Sequence, residues 1–177
     1  MSPSDAPSLH AHAPESGGGA PQAFAGAGLE PLMSAPSESA QRFAELMPRV
    51  VRRALIDADA ADIDQAIADG GFVLNDSTVV MRHNADSDQI EFFCDVGLPD
   101  THARELAYRA ALEINLCRQY PGITLGVHPE SGRMVATIAI HSLLVADDEV
   151  CLNTLELLTR QVGQLRASQV IALQDEA

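Results

Sequence analysis

The chain has no lysine and no tryptophan; all 11 of its Lys/Arg-type bases are arginines. Without lysine there is no lysine-type phosphate-binding loop and no lysine Schiff base. Any ATP chemistry serving this protein must be done by a partner. Aromatic residues make up 4% of the sequence, so a core has to be mostly aliphatic. The three cysteines, Cys94, Cys117 and Cys151, are odd in number and far apart. They form neither a disulfide framework nor a zinc pattern, and they suit a reducing cytoplasm. No apolar run approaches membrane-spanning length. The N-terminus lacks the positive region and apolar stretch of a signal peptide. His-Glu-x-x-His does not occur, and neither a metal nor a cofactor is expected.

What is present in excess is acid. Asp and Glu number 25 and the net charge is -14. Such a surface repels phosphate backbones and acidic bilayers, so neither nucleic-acid binding nor membrane insertion is expected. A length of 177 residues, 46% hydrophobic, provides for one domain with a real core and a tail.

Residues 1–38 read as a disordered tail. The stretch "HAPESGGGAPQAFAGAG" is rich in Gly, Pro and Ala, and no Arg precedes Arg42; it cannot bury enough apolar area to offset its ordering entropy. His10 and His12 read as two solvated side chains rather than a metal site. Residues 39–169 form the expected domain and 170–177 a C-terminal tail.

Within the domain, Phe43, Leu46, Met47, Val50, Val51, Ala54 and Leu55 recur at helical spacing. Ser37 or Ser39 can cap this helix, and Pro48 should kink or restart it. "DADAADIDQAIADGG" reads as a short helical connector ending at Gly70-Gly71. "FVLND" and "STVVMRHN" form a hairpin around Asn75-Asp76. A third strand starts at Gln89. A helix from about Asp100 stops at Pro121-Gly122, two strands flank the turn 129–132, and Asp147–Glu149 open a last helix. The predicted class is α+β: a twisted antiparallel sheet with three helices in the order α-β-β-β-α-β-β-α.

The third strand, "QIEFFCDVG", poses a question. Side chains alternate, so Ile90, Phe92, Cys94 and Val96 share one face. Phe93 shares the other with Glu91 and Asp95. Either a helix covers Phe93 as core, or the ring belongs to an exposed patch where a partner sits. A thiol enzyme is the first rival reading, with Cys94 beside Asp95 and His83, His128 and His141 near strand ends. Cys94 falls on the apolar face, where a cysteine acts as a small hydrophobe. No catalytic residue is assigned.

The segment "AALEINLCRQYPGITLGVHPESGRMVATIAIHSLL…DDEVCLNTLELLTRQVGQL" resembles the C-terminal half of the class I type III secretion chaperones, the Tir-chaperone family. Leu112, Asn115, Leu116, Leu125, Gly126, Val127, Ser131 and Gly132 carry the resemblance, which spans residues 40–168. The first half agrees in element order and in "GFVLND". The small, acidic character is similar to the broad-range export-control chaperones. The resemblance implies a bacterial cytoplasmic homodimer that is not an enzyme. It implies partners in secreted effectors, bound near their N-termini, and in a secretion ATPase that receives them. The candidate client surface is Phe43, Met47, Val50, Val79, Met81 and Phe93. The candidate dimer stripe is Leu106, Ala110, Ile114 and Cys117, which could equally pack on its own sheet. A protein-binding module of the same fold, unconnected with secretion, is the alternative.

Overall fold

The computed structural model describes residues 37–145 and 147–174. The N-terminal segment, with His10 and His12, lies outside them. A first helix, α1 (Glu38–Ala54), begins at Ser37, whose hydroxyl accepts the Ala40 N–H at 3.2 Å. It runs on through Pro48 rather than restarting there, and turns Leu46, Val50 and Val51 into the core. The expected connector is a helix in its own right, α2 (Ala60–Asp69), which ends on Gly70 in the left-handed conformation (φ 68°). Its Ile63, Ala66 and Ile67 follow a helical i, i+3, i+4 spacing and pack against the core. The helix count is therefore four rather than three.

Five strands follow the antiparallel pattern: β1 (Gly71–Leu74), β2 (Ser77–Asn84), β3 (Gln89–Gly97), β4 (Thr124–Val127) and β5 (Met134–His141), in the spatial order β1-β2-β3-β5-β4. The β1–β2 hairpin closes over Asn75 and Asp76, both at positive φ (49° and 57°). A two-residue turn of this kind matches the strand twist and is tolerated by Asn and Asp. Helix α3 (Arg104–Cys117) leads into β4, and α4 (Asp148–Ser168) closes the chain, its first turn capped by Asp147 accepting the Val150 N–H at 3.1 Å. The class is α+β, with the element order foreseen apart from α2.

One face of the sheet carries the core. Val79 and Met81 of β2, Ile90, Phe92, Cys94 and Val96 of β3, and Met134, Ala136 and Ile138 of β5 meet Cys151, Leu155, Leu158, Val162 and Leu165 of α4 and Val50 and Val51 of α1. Arg166 of α4 ties this layer together: its guanidinium donates to the carbonyls of Val96 (2.9 Å), Asp95 (2.8 Å) and Asp76 (3.2 Å) and to Ser77 Oγ (3.3 Å). The segment set apart as a C-terminal tail is docked in its first part. Ile171 is buried, Leu173 bridges Pro99, and Gln174 N–H donates to the Leu98 carbonyl at 2.8 Å. Gly97, at φ +129° beside the β3 bulge, makes this possible, since a Cβ there would come within 3.3 Å of Leu173 Cδ1.

Candidate functional site: the outer face of the sheet

Register decides which side chains accompany Phe93. Val80 lies opposite Phe93, and Arg82 opposite Glu91; Thr137 of β5 faces Phe93 from the other side. Val80, Arg82 and Phe93, together with Thr78, Asp95, Val127 and Val135, line a hollow of about 530 Å³ on the sheet face away from the core. No residue of a described helix lines it, and Phe93 is half-buried at its floor. Its walls are polar and already paired. Arg82 lies over the Phe93 ring, 4.7 Å from its centroid, and donates to Glu91 at 2.6 Å. Asn84 donates to the other Glu91 oxygen at 2.8 Å. Glu91 is accordingly held below the usual carboxylate range, first by Asn84 and then by Arg82. Across the hollow, Arg133 grips Asp95 with both a Nε donor (2.9 Å) and an NH2 donor. An apolar ring can stand between two carboxylates because each is neutralised by an arginine, Glu91 by Arg82 of β2 and Asp95 by Arg133 just before β5.

The sequence-derived client residues divide. Phe93 lines the hollow. Phe43 and Met47 are half-buried against the core, Phe43 stacked on His83 at 6.1 Å. Val50, Val79 and Met81 are buried, Val50 and Val79 completely, and present nothing to a partner. For Val79 and Met81 the reason is parity: they pair with Cys94 and Phe92, one residue out of step with Phe93. The other residues that line the hollow, Val80, Arg82, Val127 and Val135, and Arg133 paired with Asp95, were missed, though alternation from Phe93 across the hairpin turn would have reached Val80.

The dimer stripe divides as well. Ile114 is buried with Ala107 and Ala111 against this chain's own core, so it belongs to no external contact. Leu106 is 68% exposed, Ala110 is half-buried and Cys117 is exposed. Leu112 (68%) and Leu116 (84%) stand one turn apart and also face outward.

Burial pushes the Cys94 thiol up to about 11 and the Cys151 thiol to about 12, the opposite of an activated nucleophile. His128 and His141 accept backbone N–H groups at turns, from Ser131 and Leu143 (both 3.3 Å). Among the described residues no cluster of three His, Cys, Asp or Glu is placed to hold a metal. No described helix is long and apolar enough to cross a membrane.

No protein-family profile matches the sequence, and no curated protein matches it. Solved structures do share its architecture. A chain of the HopA1–SchA chaperone–effector complex superposes with a TM-score of 0.53 at 13% identity, covering 75% of this chain and 99% of that one. A chain of the ExsC–ExsE complex superposes with a TM-score of 0.52 at 14% identity, covering 72% and 93%. The fold is class I type III secretion chaperone-like. The chaperone-like fold spans nearly the whole of each matched chain. In it, Asn115 and the Leu125-Gly126-Val127 strand have a concrete role. The Asn115 amide donates to the Leu125 carbonyl (2.9 Å) and accepts the Leu125 N–H (2.8 Å), fixing β4 to α3.

Proposed function

We propose that this protein is a type III secretion chaperone. In this reading it binds the N-terminal regions of secreted effectors in the bacterial cytoplasm, keeps them secretion-competent and delivers them to the secretion ATPase. The observation that carries it is the apolar hollow around Phe93, left open by every described helix, in a chaperone-like fold. A contiguous apolar surface left bare on a soluble domain marks an interaction site. The ion-paired rim keeps the free protein soluble and lets an extended chain lay side chains onto Val80, Phe93, Val127 and Val135.

The working form in this reading is a homodimer. Leu106, Leu112 and Leu116 leave α3 with apolar side chains that its own sheet does not cover, and a two-fold contact of α3 with its twin buries them. The net charge of -14 opposes promiscuous self-association of such patches.

The test is affinity purification of the tagged full chain from its own cells, wild type beside Phe93→Asp. Secreted proteins captured through N-terminal segments, and lost with Phe93→Asp while the far-UV spectrum is unchanged, support the reading. Capture of only a cytoplasmic regulator moves the function to a binding module outside secretion.

A further inference from the structure

The charges around the Phe93 hollow are not equally spent. Each oxygen of Glu91 already accepts a bond, one from Arg82 and one from Asn84. Both oxygens of Asp95 are taken by Arg133. Arg82 differs. A guanidinium carries five N–H donors, and only Nε is engaged, with Glu91 at 2.6 Å. Among the described residues nothing accepts from its two terminal nitrogens.

Exposure follows the same division. The Arg82 side chain is 61% exposed, against 13% for Glu91 and 19% for Asp95. On a chain of net charge -14, the hollow therefore shows an approaching molecule a cation with unfilled donors. Beside it lies an apolar lining of Val80, Phe93, Val127 and Val135. The cation is also held in place, its guanidinium over the Phe93 ring and its Nε tied to Glu91. A group fixed before binding loses little freedom when a ligand arrives.

We infer that the hollow selects a client segment in which a large apolar side chain lies two residues from a carboxylate, the apolar group resting on Phe93 and the carboxylate taken by Arg82. This rests on the chaperone reading and deepens it: apolar contact supplies affinity in any client, and Arg82 decides between clients. Val80 lies opposite Phe93 and Arg82 opposite Glu91, so the donors stand one same-face step from the pair that carries the ring. Side chains two apart on an extended client emerge on one face with the same step, about 7 Å. A carboxylate can meet a guanidinium with two parallel bonds. A basic side chain at that position meets a like charge, and the carboxylates that could hold it are occupied.

The experiment uses the full chain and three capped ten-residue peptides of alternating Ala and Thr with one central Leu. They differ only two positions to either side of that Leu, where they carry Glu, Gln or Arg. Affinity is measured at about 0.15 M salt, where screening over about 8 Å mutes the protein's distant carboxylates. The methyl signals of Val80, Val127 and Val135 report where each peptide lies. The Glu peptide should bind roughly three- to fivefold more tightly than the Gln peptide, the size of one exposed ion pair. The Arg peptide should bind no better than the Gln peptide. Arg82→Gln/Glu91→Gln keeps the net charge and should bring the Glu-to-Gln ratio to one, a ratio in which any general weakening cancels. Arg82→Lys, which keeps the charge and loses the fork, should retain part of the preference. Equal binding to the wild type, or none, overturns the inference. So does a preference that survives the double variant, or binding that leaves the three valines unmoved. A shift of those valines on concentrating the protein alone makes a second copy the occupant and overturns it too. Secreted proteins that co-purify while the peptides show no carboxylate preference refute this role of Arg82 and leave the chaperone reading standing. A preference abolished by the double variant, with no secreted protein captured, does the reverse.

Discussion

Asn115 and Leu125 form a closed pair: one side-chain amide satisfies both the N–H and the C=O of one residue on an edge strand, at 2.8 and 2.9 Å. Asn115→Ala removes both partners at once. A partly buried group left unmet costs about 1–3 kcal/mol. Urea denaturation should show a loss of that size, together with greater concentration-dependent association as the β4 edge is uncapped. Unchanged stability would show that water replaces the amide without cost.

Phe92 and Phe93 are neighbours with opposite fates. Phe92 has no exposed surface and faces α4, while Phe93 floors the outer hollow. Phe92→Ala should cost about 3–5 kcal/mol and Phe93→Ala only about 1–2 kcal/mol. Client capture should fall with Phe93→Ala and hold with Phe92→Ala at temperatures where both remain folded. Paired denaturation and capture measurements separate the two.

On α3, Leu112→Asp and Leu116→Asp should yield folded monomers by light scattering, because both side chains face outward. Ile114→Asp should instead unfold the chain, since it places a charge inside the core. A wild type that is already monomeric at micromolar concentration ends the dimer proposal.

The thiols should react in a fixed order. Cys117 is exposed, while Cys94 and Cys151 are buried and held protonated up to about 11 and 12. An alkylating reagent at pH 8 should label Cys117 alone in the native protein. The raised values also carry a stability signature. It is present in full below the ordinary thiol value of 9.0 and lost as pH rises through 11 to 12, where the unfolded chain ionises first.

At the acid end, Asp88 is depressed from 3.8 to about 2, first by the Ser39 hydroxyl, then by Ser142 and His83. A lowered carboxylate stabilises the fold above its unfolded value and stops doing so as pH falls through its folded one. Melting temperature should therefore drop between about pH 4 and pH 2. Asp88→Asn should flatten that part of the profile without strain, because Asn also tolerates the positive φ (50°) at this position.

Much of this was legible in the chain. Alternation through Ile90, Phe92, Cys94 and Val96 identified the core face of β3, and Asn75-Asp76 announced the hairpin. The missed helix, α2, was hidden by its aspartates, which are poor helix formers and made the stretch read as a connector. The misassigned Val79 and Met81 show a different limit. Alternation tells which residues share a face within a strand, but the pairing across strands is set by the turn, and a step of one exchanges the two faces. Ile114 and Leu106 on the expected dimer stripe part for a similar reason. A periodic stripe on α3 is wide enough to touch two surfaces, and only packing reveals which side chains turn inward.

Arg166 sits near the end of the last helix, yet it holds backbone at Asp76, Asp95 and Val96, 70 to 90 residues earlier. Its planar guanidinium makes four bonds at once, which the ammonium of a lysine cannot reproduce. A nascent chain lacks this clasp until α4 has left the ribosome, and α4 also supplies Leu155, Leu158 and Val162 to the core. Assembly must therefore wait for α4 and close by contacts distant in sequence, which slows folding.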